Sequence, residues 1–121
     1  MQYTLEEYIK DPIVAKRFEY NTNIKSKVRH KIVGSFKDFD NESKEYLLSL
    51  KNEVFKGSDI YVFGSRVNGT YLSDNEYEKY SKEYSNVKKS DWDIRSEFKT
   101  DIKEFKGYKI DFQIGNKGIK I

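Results

Sequence analysis

The sequence predicts an α/β fold of the α+β type, in which a mixed sheet is flanked by helices and follows a helical N-terminal extension. Apolar residues recur at helical spacing before residue 57, segment 59–63 is apolar at every position after Asp59, and segments 91–97 and 108–114 alternate apolar with polar side chains. These are the patterns of an amphipathic helix, of a strand covered on both faces and of half-buried strands. We therefore expect the three strands to be neighbours in one sheet.

The first 40 residues are predicted to form the helical extension, and residues 41–121 the sheet domain. Residues 4–7 have the composition of a capping box, which begins a short helix, and Pro12 suits the first position of a second helix. A basic segment follows at residues 25–31. It is either a solvated arm or a contact for an acidic partner or nucleic acid.

The clearest helix is predicted over residues 43–56. Its apolar positions Leu47, Leu50 and Val54 recur at helical spacing, so they share one face. Gly57 follows as the residue expected just past the end of the helix. This apolar face is the predicted packing partner of the sheet.

Another helix is predicted inside the polar segment from residue 70 to residue 90. Ser73 and Glu76 have the spacing of a capping box, and three tyrosines follow on one helix face. This tyrosine stripe consists of Tyr77, Tyr80 and Tyr84. It either packs on the protein's own core or faces a partner or substrate, since tyrosine is favoured at interfaces.

The composition limits the class of protein. A chain of 121 residues has the size of a single domain, and its ten Tyr and eight Phe supply the area for a core although only 36% of residues are apolar. The net charge of +3 comes from interspersed charges and does not favour nucleic acid as the main partner. The sequence contains no long apolar stretch or signal peptide, so we expect no membrane association and a cytoplasmic location.

The candidate metal ligands are carboxylates. Cys is absent and His30 is the single histidine, which excludes thiolate and histidine-cluster sites. Asp91 and Asp93 are two residues apart on a predicted strand, which places both on one face, roughly 7 Å apart. Asp111 on the polar face of a neighbouring strand would complete an oxygen cage for two hard cations, as phosphoryl chemistry requires.

The predicted strand at residues 59–63 passes directly into Gly64 and Ser65. A Gly-Ser turn between a strand and a helix presents backbone N–H groups and a hydroxyl, which together cradle a phosphate chain. The turn and the three carboxylates together predict a metal site that handles nucleotides.

Three segments resemble the minimal nucleotidyltransferases of the DNA polymerase β superfamily. They are Val62–Thr70 with its Gly-Ser-Arg-x-x-Gly turn, Ser90–Ile94 with Ser-Asp-x-Asp, and Lys109–Phe112 with Ile-Asp-Phe. The resemblance covers residues 43–115 and implies the mixed sheet and flanking helices of that family.

The resemblance also implies a role for each motif. The Gly-Ser turn would bind a nucleoside triphosphate, with ATP expected, and the Asp-x-Asp pair would bind two Mg²⁺ ions, or Mn²⁺ in their place. The third carboxylate would help to bind metal or activate the attacking hydroxyl. The implied nucleotide-binding residues are Gly64, Ser65, Arg66 and Gly69. The implied metal-binding and catalytic residues are Asp91, Asp93 and Asp111.

The chain departs from the family pattern in two ways. Twenty-five residues separate Ser65 from Asp91, where the family has a much shorter connection, and this insertion is expected to cover or reshape the acceptor site. The chain ends at Ile121, so we expect it to lack the helical partner domain of larger relatives such as the aminoglycoside nucleotidyltransferases. The identity of the acceptor stays open for this reason.

The expected activity is transfer of a nucleoside monophosphate from a nucleoside triphosphate to a hydroxyl on a protein or small molecule. Small stand-alone members of the family often act as antitoxins that modify a partner toxin, so a protein partner is expected. The alternative is a structural or assembly subunit of a virus or mobile element, located in a virion, that keeps the fold without needing catalysis. A nucleic-acid-binding module is disfavoured because the basic bias is weak.

Overall fold

The computed structural model describes residues 12–84 and 87–121. The chain forms two compact units that interleave in sequence. Of the described residues, the helical unit comprises 12–29, 72–84 and 87–89, and the sheet unit comprises His30–Tyr71 together with Ser90–Ile121. Each unit has its own apolar cluster.

The secondary structure of the described residues confirms an α+β fold. The helices are α1 Pro12–Glu19, α2 Asn41–Glu53, α3 Ser65–Asn68 and α4 Asp74–Ser81. The strands are β1 Ile60–Phe63, β2 Trp92–Ser96, β3 Glu104–Phe105, β4 Tyr108–Ile114 and β5 Ile119–Lys120. A π-helical turn at Tyr20–Ile24 and 3-10 turns at Lys25–Lys27 and Phe36–Asp38 complete the helical segments.

The sheet is mixed and has the strand order β3-β4-β2-β1-β5. β2 and β4 are parallel, and the other neighbouring pairs are antiparallel. The prediction that β1, β2 and β4 belong to one sheet is confirmed. The sequence patterns do not show β3 and β5, because two residues are too few for an alternation to appear.

Helix α2 begins two residues before the predicted start and ends three residues before the predicted end. Asp40 caps it by accepting a hydrogen bond from the backbone N–H of Ser43 at 2.7 Å. At the other end, Lys56 and Gly57 both have positive φ angles, which takes the backbone out of the helical conformation. The Gly57 N–H then donates to the carbonyl of Lys51 at 2.9 Å.

The core of the sheet unit lies between α2 and one face of the sheet. Leu47 and Leu50 from the helix and Phe55 after it are fully buried against this face. The buried apolar residues of the sheet are Ile60, Val62, Trp92, Ile94 and Ile110. Burying large side chains of this kind stabilises the fold by about 1.5–3 kcal/mol each.

The prediction that β1 is covered on both faces is wrong. Ile60 and Val62 are fully buried, but Tyr61 and Phe63 on the opposite face are only half-buried. The guanidinium of Arg95 lies 3.7 Å from the centroid of the Phe63 ring. The second face of β1 is therefore partly covered by a neighbouring cation rather than packed into a second core.

The helical unit packs the tyrosine stripe on its own residues. Ser73 and Glu76 form both hydrogen bonds of the predicted capping box, and α4 follows. The helix ends at Ser81, so Tyr77 and Tyr80 lie on it, and the prediction that Tyr84 shares its face is wrong. Tyr84 is 6% exposed, and its ring centroid lies 5.5 Å from that of Tyr20. The remaining members of the cluster are Val28, Leu72 and Val87, with Tyr77 and Tyr80 partly buried against it. The structure thus favours internal packing over a partner-facing stripe.

The N-terminal predictions divide into two cases. α1 begins at Pro12 as predicted, where the missing N–H costs no helical hydrogen bond. The capping box at residues 4–7 lies outside the described residues. Within the described ranges, no helix combines the length and apolar character needed to cross a membrane.

Candidate active site

Polar side chains of β2 and β4 share one face of the sheet, which we call the polar face. The parallel register of these strands places Asp93 directly beside Asp111. Successive residues of a strand point to opposite faces, so Trp92 and Ile94 lie on the core face, where both are buried. The predicted alternation of β2 is confirmed, and it puts two candidate carboxylates next to each other.

The Gly64-Ser65 turn lies against Asp93. The antiparallel register of β1 and β2 pairs Phe63 with Asp93, so the chain reaches this carboxylate as it leaves β1. Gly64 has φ +78°, and a Cβ atom there would lie 2.0 Å from Asp93 Oδ2. Only glycine permits this approach, because any side chain would overlap the carboxylate. The backbone N–H of Ser65 donates to the Asp93 side chain.

The environment of Asp93 disfavours its ionised form. Burial is the main cause that raises the pKa of its carboxyl, and the negative charges of Asp111 and Asp91 raise that pKa further. A hydrogen bond shared with the Asp111 side chain acts in the same direction, whereas the N–H of Ser65 lowers the pKa. The cluster therefore gains stability from a bound proton or cation.

Asp91 stands immediately before β2 and has a different neighbour. Its Oδ2 atom lies 4.0 Å from the Nζ atom of Lys109. The structure thus sets Asp93 and Asp111 side by side on neighbouring strands and leaves Asp91 beside a lysine. Among the described residues, no three His, Cys, Asp or Glu side chains already form a group that could hold a metal ion.

The chemistry of the carboxylates fits a hard divalent cation. Asp91, Asp93 and Asp111 supply only oxygen ligands, which Mg²⁺ and Mn²⁺ prefer. Burial is the main cause of the raised pKa of Asp93, and the negative charges of Asp111 and Asp91, which a cation would neutralise, raise it further. These three residues are therefore the ones that would hold the ions.

Arg66 is buried and binds the backbone that leads into β2. Its Nε donates to the carbonyl of Asp91 at 3.1 Å, and its Nη2 donates to the carbonyl of Ser90 at 2.9 Å. Its guanidinium also lies 4.5–5.1 Å from the centroids of three aromatic rings, those of Trp92, Tyr71 and Tyr108. Arg66 thus connects the Gly-Ser turn to the segment that carries Asp91, and in this structure it acts as a positioning residue.

Gly69 ends α3 in a left-handed conformation with φ +80°. A Cβ atom there would lie 2.2 Å from the carbonyl oxygen of His30, and the N–H of His30 donates to the Gly69 carbonyl at 2.7 Å. Glycine is required by this close contact with the backbone. Gly69 thereby fixes the end of the short helix that follows the turn.

Two cations on the polar face were not predicted as site residues. Lys109 precedes Asp111 by two residues and faces Asp91, and Arg95 follows Asp93 by two residues. The alternation of β2 and β4 is the sequence signal that assigns both to the polar face. The alternation shows on which face of the sheet a side chain lies, but it does not show which carboxylate that side chain contacts.

Comparison with protein-family models, with curated proteins and with solved structures finds no match to this chain.

Proposed function

We propose that this protein is a metal-dependent nucleotidyltransferase, which transfers a nucleoside monophosphate from a nucleoside triphosphate to a hydroxyl acceptor. One observation carries the proposal: the Gly64-Ser65 turn lies against Asp93, and Asp93 lies directly beside Asp111 on the neighbouring strand. A turn suited to phosphate and a pair of carboxylates thus come from three separate segments to one place. Phosphoryl chemistry depends on such positioning and on neutralising the charge of the phosphates.

The proposed reaction forms one bond to phosphorus and breaks another. The acceptor oxygen bonds to the α-phosphorus as the bond from that phosphorus to the oxygen bridging the β-phosphate breaks, and pyrophosphate leaves. The proton of the acceptor hydroxyl passes to a carboxylate. We assign this step to Asp111, because the register of β2 and β4 sets its carboxylate directly beside Asp93. The Ser65 hydroxyl is assigned to a phosphate oxygen.

The proposed metal ligands are Asp91, Asp93 and Asp111. Two Mg²⁺ ions bound there supply charge neutralisation for the triphosphate and the leaving pyrophosphate. Mn²⁺ prefers the same ligands and is expected to substitute. We place the reaction in the cytoplasm, which supplies both nucleoside triphosphates and magnesium, and we expect ATP as the donor and a protein or small molecule as the acceptor.

The test is a labelling experiment with ATP that carries the label on either its α-phosphate or its γ-phosphate. The protein is incubated with Mg²⁺ and each form, alone and in a cell lysate, and the other nucleoside triphosphates are tested in the same way. We expect the α-label to appear on an acceptor and the γ-label to be released. Transfer of the γ-label instead would indicate a kinase and contradict the proposal.

Two variants control this experiment. Asp93→Asn removes a proposed metal ligand and should abolish labelling. Asp59→Asn removes an exposed carboxylate that pairs with Lys51 and Lys120, and it should leave labelling unchanged. Equal labelling by the Asp93 variant and the wild type would place the activity elsewhere.

A further inference from the structure

Lys109 lies on the polar face beside the proposed metal ligands. It precedes Asp111 by two residues on β4, so both side chains extend from the same face of the strand. Its ammonium is 4.0 Å from Asp91 Oδ2, and its side chain is 72% exposed. The long side chain therefore has room to move while its charge stays close to Asp91.

The ion pair between Lys109 and Asp91 contributes little to folding. The Asp91 side chain is 37% exposed, and pairs between exposed charges are screened by water and lose side-chain entropy when they form. The main consequence of the pair is electrostatic. A positive charge held beside Asp91 competes with a divalent cation for that carboxylate and attracts an anion to the polar face.

Arg95, the other cation on the polar face, is held in place. Its Nε donates to Gln113 Oε1 at 3.4 Å, its Nη1 donates to the Lys117 carbonyl at 3.2 Å, and its guanidinium covers the Phe63 ring. Lys109 differs because, among the described residues, its side chain makes one long ion pair, the contact with Asp91 at 4.0 Å. A compact ammonium on a flexible stem is suited to change partners.

We infer that Lys109 is a phosphate-binding residue, which pairs with Asp91 in the free protein and moves to the triphosphate when a divalent cation binds Asp91. This inference rests on the proposed function. It requires that Lys109 have two opposite effects. Lys109 must weaken the binding of the metal alone and strengthen the binding of the metal–nucleotide complex. A lysine that only paired with Asp91 would oppose the metal but would not favour the metal–nucleotide complex.

The test compares Lys109→Gln with Lys120→Gln. Both changes remove one charge and keep most of the side chain, and Lys120 also sits in an exposed ion pair, 3.5 Å from Asp59. The dissociation constant for Mn²⁺ without nucleotide and that for ATP at saturating Mg²⁺ are measured by titration calorimetry. Lys109→Arg, which keeps the charge, is measured alongside them.

The expected effects of Lys109→Gln have opposite signs. The Mn²⁺ dissociation constant should fall, because the competing charge is gone. The ATP dissociation constant should rise about tenfold or more, as expected for the loss of one hydrogen bond to a charged group. Lys120→Gln should change neither constant by more than about twofold, since rim charges have small effects, and Lys109→Arg should bind ATP like the wild type.

Each contrary outcome has a distinct meaning. If the wild type binds ATP and Lys109→Gln binds it equally well, the inference is overturned and the proposed function stands. If Lys109→Gln binds Mn²⁺ more weakly or with unchanged affinity, Lys109 does not compete for Asp91, and the inference is again overturned. If the wild type binds no nucleoside triphosphate, the proposed function fails and this inference fails with it.

Discussion

The two faces of the sheet differ in the side chains they carry and in how those side chains affect stability. On the core face, Ile94 and its neighbours are fully buried apolar side chains that pack against α2. On the polar face, Asp93 and Asp111 are neighbouring carboxylates, and the backbone at Gly64 lies against one of them. The core face stabilises the fold, whereas the polar face brings like charges together at a cost in stability.

This difference separates residues that fold the protein from residues that act on a ligand. A carboxylate pair that lowers stability persists in a fold because the surrounding structure holds it, and such arrangements are concentrated at functional sites. The same strands supply both faces, because their side chains alternate. The comparison therefore predicts large losses of stability from changes on one face and losses of binding from changes on the other.

The largest expected effect is on the core face. Ile94→Ala should lower the free energy of unfolding by about 2–5 kcal/mol, because it leaves a cavity in a fully buried position. Ile114→Ala changes the same residue type on β4, where the side chain is 59% exposed, and should cost about 0.5 kcal/mol or less. Urea unfolding of both variants tests the comparison, and equal losses would contradict it.

The next effect concerns the contact between the turn and Asp93. Gly64→Ala should destabilise the protein by about 2–3 kcal/mol, since it adds a steric clash to an unfavourable backbone conformation. Gly57→Ala is the matched control, because its φ of +83° is similar but no atom lies within 4 Å of the added Cβ. Only the Gly64 variant should also lose metal-induced stabilisation. If the two variants lose the same stability and respond equally to Mg²⁺, the close contact at Gly64 is not important.

A smaller effect of opposite sign is expected at Asp93. Without divalent ions, Asp93→Asn should raise the free energy of unfolding by about 1 kcal/mol, because it removes one of the repelling charges and its amide can donate to Asp111. Chemical unfolding in a chelating buffer at pH 7 measures this. Asp59→Asn removes a carboxylate that pairs with two lysines and should not stabilise. A destabilised Asp93 variant would show that the polar face carries no electrostatic strain.

The smallest effect is expected at Asp38, whose carboxylate lies outside the polar face. Backbone N–H donors, rather than other negative charges, are its close neighbours. The N–H groups of Gly34 and Ser35 donate to its Oδ2, and they lower the pKa of its carboxyl. A lowered folded-state pKa adds stability above the unfolded-state pKa, and this stability is lost as the pH falls through the folded-state pKa. Asp38→Asn should therefore lower the melting temperature slightly at pH 7 and have no effect well below pH 4. If the difference in melting temperature between Asp38→Asn and the wild type did not depend on pH, the lowered pKa of Asp38 would not be its cause.

Periodicity was sufficient to predict most of the sheet unit. The strands around Val62, Ile94 and Ile110 and the helix around Leu50 follow from local patterns, because burial of one face imposes a period on the sequence. Short strands such as β3 and β5 have no room for a period. Local patterns could not predict the interleaving of the two units either, because each unit combines segments that are distant in sequence.

The candidate site was predictable in its residue types but not in its contacts. The sequence assigns Asp93 and Asp111 to one face of neighbouring strands, and the register that sets them side by side comes from the structure. Nothing local indicates that Arg66 turns inward to bind backbone carbonyls, or that Lys109 faces Asp91. These contacts join segments of the chain that only the fold brings together.

The most direct test of the proposed site is the effect of Mg²⁺ with ATP on the melting temperature of the wild type and of the double variant Asp93→Asn, Asp111→Asn. A ligand that binds only the folded state raises its stability in proportion to RT ln(1 + [L]/Kd). We predict that Mg²⁺ with ATP stabilises the wild type and does not stabilise the double variant. Without these ligands, we expect the double variant to be at least as stable as the wild type. Equal stabilisation of both proteins would contradict the account, because the nucleotide would then bind somewhere other than the polar face.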